Sequence, residues 1–271
     1  MQQWRLIKNR SYDGAMNMAI DEAISIAYKE GKVNPTVRFY TWKPACLSIG
    51  YFQKLESDID LIACKENNID YVRRITGGRA VLHDKELTYS IVVGEENPII
   101  DKSINLSYRF ISEGLVEGLH LSNIPTDDLN SGEHITRGNL SAACFNAHAS
   151  YEITINHKKI VGSAQHRKDG VLLQHGSIVL DFNVEDLFNL IKMKTPELKE
   201  RSKRFTANKA SGIENETGRS IDIDTLEENL IKGLSSHLNV EFVEEELTDY
   251  ELNLANELYK KYKGDEYNKK R

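Results

Sequence analysis

Apolar positions recur along this chain in two rhythms, and the switches between them outline its elements. Residues 3–7 read as a strand, a turn follows at 11–14, and Ala15, Met18, Ala19, Ala23 and Ile24 then return at helical spacing. Asp21 and Glu22 fall on or near the polar side of that helix, while Met16 and Met18 are read as core. Between residues 36 and 53, Val37, Phe39, Trp42, Leu47 and Ile49 sit in two short β-rich runs broken by Lys43-Pro44, the pattern of a hairpin or a bent strand pair. A short helix pattern at 59–67 leads to a strand at 69–74, a Gly-rich turn at 76–78 and a further strand at 87–93, so that the turn is held between strands.

The stretch 120–140 follows neither rhythm. Pro125, Asp127, Asp128, Asn130, Gly132 and Gly138 make it polar and turn-rich, and a long loop of this kind inside a compact domain is usually functional or disordered. Two strands follow at 151–155 and 159–162, joined by a tight turn at Asn156-His157, with another strand at 171–180. A basic, Ser/Thr-containing connection, 192–209, leads to a more acidic, helical C-terminal part, 210–271, with helix patterns at 226–238 and 249–262. Strands and helices mix without regular βαβ alternation or internal repeats, which predicts the α+β class.

With 271 residues, 40% hydrophobic and 28% charged, the chain can bury a full core as one large domain or two small ones. A formal charge of −6, with no Lys/Arg run interleaved with aromatics, argues against a nucleic-acid partner. The first ten residues lack the unbroken apolar stretch of a signal peptide or membrane span, so a cytoplasmic chain with no membrane partner is expected. Cys46, Cys64 and Cys144 are odd in number and widely separated, fitting neither a disulfide framework nor a metal knuckle; reduced thiols are expected.

Three runs could carry chemistry. Arg73-Arg74-Ile75-Thr76-Gly77-Gly78-Arg79 puts two arginines at a strand end and two glycines in the turn after it, where main-chain N–H groups can approach a ligand. It is neither a Walker loop nor a dinucleotide turn, and a plain turn with solvated arginines would look the same. Cys144 ends the polar loop. A free thiol is only about 3% thiolate at pH 7, so a nucleophilic role needs a nearby cation; a buried small hydrophobe is the commoner use. Lys159 is a candidate for that cation, since strand alternation sends one of Lys158 and Lys159 inward. His83, His148 and His175 are possible acid-base groups; Cys144 and His148 have a C-x3-H spacing, but no second pair completes a metal site, so no metal is expected.

Taken together, the runs 14–22, 73–90 and 159–165, the last reading Lys159-Ile160-Val161-Gly162-Ser163-Ala164-Gln165, resemble the lipoate–protein ligase and octanoyltransferase superfamily over nearly the whole chain. The form Thr76-Gly77-Gly78-Arg79-Ala80-Val81-Leu82-His83, with Cys144-Phe145 and Tyr151-Glu152, is most similar to its Gram-positive type of octanoyltransferase. That family usually has Pro-Ser shortly after the cysteine, where this chain has His148-Ala149. The resemblance implies an α+β, mixed-sheet catalytic domain like that of biotin and lipoate ligases, remotely related to class II synthetases, with 1–271 a single acyltransferase domain. It implies transfer of octanoate from octanoyl-acyl carrier protein to a lysine of a lipoyl carrier, the glycine-cleavage H protein or a lipoyl domain, in the first step of lipoate biosynthesis.

Carried over by residue, Cys144 is the acyl-accepting nucleophile and Lys159 the lysine of the site, as base or as electrostatic stabiliser. Arg74, Gly77, Gly78, His83, Gly162, Ser163 and Ala164 line the acyl pocket. No cofactor is expected, because one thioester can replace another without ATP and the final amide is more stable than either. Positive charge from Arg73, Arg74, Arg79, Lys158, Lys159 and Arg167 would suit acidic carriers. A monomer is the default expectation. An ATP-dependent lipoate ligase of the same fold is the alternative, and a non-catalytic acyl-carrier-binding protein, with Cys144 inert, is the second.

Overall fold

The structure is a computed structural model. It describes residues 1–8, 11–129 and 151–270. Among the described residues, the larger sheet holds β1 (Gln2–Lys8), β2 (Thr36–Tyr40), β6 (Glu86–Gly94), β7 (Ile153–Ile155), β8 (Lys158–Lys168), β9 (Val171–Val179) and β10 (Val240–Glu244). Their order is β10-β1-β2-β6-β9-β8-β7, with β10, β1 and β2 parallel and the remaining pairs antiparallel. A smaller sheet, β4-β3-β5, is made of β3 (Cys46–Ile49), β4 (Asp70–Arg73) and β5 (Val81–His83). The mixed sheets make this an α+β fold.

Helices cover both faces of the larger sheet. On β6, Leu87, Tyr89, Ile91 and Val93 alternate toward Ile111, Leu115 and Leu119 of α4 (Ile104–Leu121) and Leu226, Leu230 and Leu234 of α8 (Ile223–Leu238). Val92 points the other way, into the cluster built on α1 (Gly14–Lys29) and α9 (Asp249–Lys263). With both faces covered, every β6 residue is buried. α4 and α8 meet at glycines: a Cβ on Gly233 would lie 2.2 Å from the Gly118 nitrogen. The smaller sheet packs with α2 (Leu55–Asp58), α3 (Leu61–Glu66) and α5 (Val184–Asn189), and α6 (Pro196–Ala207), α7 (Ile213–Thr217) and α10 (Asp265–Asn268) complete the helices of the described residues. Side chains cap the longer ones, Asp13 for α1, Ser103 for α4, Asp222 for α8 and Thr248, in a capping box with Glu251, for α9. None of the described helices is long and apolar enough to cross a membrane.

Three expectations change. β2 and β3 are not a hairpin, because β1 and β6 already occupy both edges of β2, and β3 starts the second sheet. The C-terminal part is not wholly helical: residues 240–244 add an edge strand to β1. The basic stretch 192–209 holds α6, and its end, Lys209, bonds to β8.

Candidate active site

The site is built over a buried carboxylate. Asp21 projects from α1 beneath the larger sheet, 1% exposed, where Oδ1 accepts from Arg38 Nη1 at 2.8 Å and Ser90 Oγ at 2.9 Å. Oδ2 accepts from the Tyr40 hydroxyl at 2.9 Å and faces His175 Nδ1 at 3.4 Å. Burial opposes the charge on Asp21, yet the Arg38 guanidinium and His175 hold its carboxyl below the usual range. Burial also holds His175 below the ordinary histidine value, against the pull of Asp21, so the ring is neutral at pH 7. An ionised carboxylate only accepts, so Nδ1 carries the proton and Nε2 accepts from the Thr76 hydroxyl at 2.7 Å. Thr76 opens the glycine turn, and the contact ties that turn to α1.

Main-chain geometry fixes the turn from its other side. Gly78 has φ of 95°, and its carbonyl oxygen lies so near Gly50 that a Cβ there would come within 2.0 Å of it. Arg74 is buried and spends its guanidinium on carbonyls, Nη2 donating to Gly77 at 2.9 Å and Arg79 at 2.7 Å, and Nη1 to the Ser48 carbonyl at 3.2 Å and hydroxyl at 3.0 Å. Here its direct task is to hold the turn open rather than to meet solvent.

A second imidazole repeats the pattern. His83 Nδ1 faces Glu86 Oε2 at 3.0 Å without a hydrogen bond between them, and Nε2 lies 2.8 Å from the Ser48 hydroxyl. Trp42 stacks on the ring at 4.1 Å between centroids and donates its indole N–H to Thr88 at 2.7 Å; the Thr88 hydroxyl in turn donates to Glu86. Each imidazole thus has a carboxylate behind it and a hydroxyl in front, and neither can swing without breaking both contacts.

Between these two supports lies a narrow, mainly apolar cavity. Arg74, Gly78, His83, Gly162, Ser163 and Ala164 line it, while Gly77 lines the adjoining cleft instead. Gly162 and Ser163 pair with Ser177 and Gly176 across β8 and β9, which brings those two residues onto the wall as well. An apolar slot with a few fixed polar groups suits an unbranched acyl chain. Trp42, Ser48 and Ser177 are wall residues that no local motif marks, and Thr88, within the run 73–90, joins them.

Lys159 lies three positions before Gly162 on β8, 5% exposed and not on the cavity wall, with Nζ 2.7 Å from Glu152 Oε1. Its backbone is bracketed, N donating to Lys209 O at 2.9 Å and O accepting from Ser211 N at 3.0 Å. Lys158 faces away and pairs with Glu216 at 2.8 Å. Cys144, Phe145, His148 and Ala149 lie outside the described residues. Cys46 and Cys64 are both buried; burial pushes the Cys46 thiol far above its usual value and Cys64 up to about 11. Neither is a thiolate at neutral pH.

Residues 13–235 match the lipoyl protein ligase A/B catalytic domain family. The chain belongs to that family. Among curated relatives, the octanoyltransferase LipM of Clostridioides difficile is 74% identical over 100% of both chains, and that of Brevibacillus brevis 45% identical, again over 100% of both. Among solved structures, the bi-partite lipoate protein ligase of Thermoplasma acidophilum, studied with its E2 lipoyl domain, superposes with a TM-score of 0.82 at 28% identity, covering 99% of this chain and 97% of that one. A lipoate-protein ligase A bound with ATP gives 0.78 at 28% identity, covering 99% and 98%. This member of the lipoyl protein ligase A/B family is an acyltransferase, and octanoyl transfer toward lipoate is its reaction.

Among the six cations that the sequence singles out, Arg73, Arg74, Lys158 and Lys159 are paired within the protein. Arg73 is fully buried and donates to the carbonyls of Gly50, Tyr51, Gln53, Tyr267 and Asn268, Arg74 to those of its own turn, and Lys159 and Lys158 to carboxylates. A guanidinium at a strand end is cheap to bury when backbone carbonyls converge on it, and the sequence alone does not show that convergence.

Proposed function

We propose that the chain takes octanoate from octanoyl-acyl carrier protein onto Cys144 and passes it to a lysine of a lipoyl carrier, the glycine-cleavage H protein or a lipoyl domain. What supports this reading is the kinship with octanoyltransferases over the full chain, in which the resemblance makes Cys144 the acyl acceptor; Cys46 and Cys64, buried as neutral thiols, do not compete for that role. In the first step the Cys144 sulfur attacks the donor's carbonyl carbon; the new C–S bond forms, the carrier's C–S bond breaks, and the carrier leaves with the proton as a thiol. In the second, the acceptor amine attacks the acyl-Cys144 carbonyl, an amide forms, and Cys144 regains its thiol.

Lys159, held by Glu152 and by its bracketed backbone, serves here as a fixed ammonium that favours the thiolate and the developing oxyanion. His83 and His175 are positioning residues that keep the wall around the acyl chain in shape. Two thioesters of similar energy need no nucleotide to drive their exchange.

Intact-mass spectrometry after incubation with octanoyl-acyl carrier protein, without ATP, tests the route. A gain of one octanoyl group, labile to hydroxylamine and absent in Cys144→Ala, is expected. If Cys144→Ala is acylated as fast as wild type, Cys144 is not the nucleophile; lipoyl-carrier modification only with ATP and lipoate would instead mark a ligase.

A further inference from the structure

Beside the acyl cavity runs a wide cleft of about 1030 Å³ that has no part in the steps above. The two share a border: Gly78 and Ala164 line the cavity, and their chain neighbours Gly77 and Gln165 line the cleft. Arg167 and Lys168, at the end of β8, line it together with Lys260 and Lys261 of α9 and Lys270 just past α10. Against these five cations stand two carboxylates, Glu22 and Glu266, on a chain whose net charge is −6. Lys261 is paired with Glu22, and Arg167 with Glu95. Among the described residues, Lys168, Lys260 and Lys270 have no carboxylate at ion-pair distance and are exposed. Burial and the Lys168 charge also hold His166 below the ordinary histidine value, against Glu22, as a positive neighbourhood would. Phe52, which also lines the cleft, is 70% exposed, and Tyr51 lies against it at 5.1 Å between ring centroids. The three C-terminal lysines fall beyond residues 13–235, outside the part matched by the family.

We propose that this cleft docks the donor carrier protein, with the phosphodiester of its pantetheine arm and its acidic surface on Lys168, Lys260 and Lys270, and the arm lying along the cleft toward Gly77. The proposal rests on the octanoyl-transfer reading. A thioester donor presents an apolar chain, a neutral arm, a single phosphodiester charge and an acidic protein, in that order. The structure offers an apolar cavity, the Gly77-Gly78 border, and lysines that share the cleft with Tyr51 and the exposed Phe52. Lysine suits the far end because a compact ammonium can meet phosphate or carboxylate without fixed geometry.

The test is a triple variant, Lys168→Glu with Lys260→Glu and Lys270→Glu, assayed for release of the donor thiol from octanoyl-carrier protein and from octanoyl-pantetheine, which lacks both phosphate and protein. With the carrier, kcat/KM should fall by about tenfold or more and lose most of its dependence on ionic strength. With octanoyl-pantetheine it should stay within about twofold of wild type, which also reports that the variant is folded. The milder triple change to Gln should show the same selectivity with a smaller loss. A triple variant that keeps the wild-type rate with the carrier overturns the docking site and leaves octanoyl transfer standing. Unchanged thiol release with slower delivery to the lipoyl acceptor assigns the face to the acceptor and overturns it too; a wild type that discharges neither donor overturns the proposal together with the reading beneath it.

Discussion

Asp21 and His175 stand 154 positions apart, and their side chains meet beneath the cavity that Arg74, His83 and Ser163 line, with Oδ2 and Nδ1 at 3.4 Å. Asp21 also answers the charge of Arg38, which is 0% exposed. Removing the carboxylate leaves a guanidinium in the core without its counter-charge, and such losses cost about 3–5 kcal/mol. Asp21→Asn should therefore lower the free energy of unfolding by about 3 kcal/mol or more in denaturant titration. A loss under about 1 kcal/mol would mean that the Arg38 charge is balanced without Asp21.

The same pair sets a pH window. The folded pKa of His175 lies below its ordinary 6.5, so as the pH falls the unfolded chain takes up the proton first. Stability should be level above pH 6.5 and decline below it, whereas the depressed Asp21 carboxyl adds its own loss only below 3.8. His166 is held low in the same window, chiefly by burial. Thermal melts between pH 7.5 and 5 should show the decline in wild type and a shallower one in His175→Gln and in His166→Gln. Identical slopes in all three would show that neither ring drives it.

Gly233 sets two known effects against each other. Alanine in a helix interior is worth about 1 kcal/mol over glycine. Here, though, the new Cβ would lie 2.2 Å from the Gly118 nitrogen and 2.7 Å from its Cα, and backbone cannot rotate aside as a side chain can. The helices must separate, and overpacking of this kind costs about 1–3 kcal/mol. The clash should win, so that Gly233→Ala lowers the midpoint of chemical unfolding; a raised midpoint would mean that α4 and α8 do not touch there.

How far the sequence discloses this structure depends on whether a residue's partners are near it in the chain. α1, β6 and β9 follow from local periodicity, and the glycine turn from its own residues. The sequence reading passes over α4, although Ser103 caps it and Ile111, Leu115 and Leu119 recur at helical spacing. Trp42, Ser48 and Ser177 reach the cavity only through pairings such as Ser48 with Val81 and Gly162 with Ser177, and no local pattern encodes those. Arg73 shows the opposite case: its motif looks like a ligand site, but Asn268, 195 residues away, turns it into a clasp for the C-terminus.

Ser177 offers a measure of cavity depth. It lies on β9, 3% exposed, opposite Gly162, and its hydroxyl has no hydrogen-bond partner among the described residues. Replacing that hydroxyl with apolar bulk therefore forfeits no bond seen here, and the main consequence is steric. Ser177→Val adds carbon where the acyl chain is expected to lie. A methylene in an apolar slot is worth about 1–3 kcal/mol, so the longest accepted chain should suffer first. Relative to wild type, kcat/KM for octanoyl-carrier protein should fall about tenfold against that for hexanoyl-carrier protein. Equal losses for both donors would place Ser177 away from the chain's end, and no loss for either would remove this cavity as the acyl site.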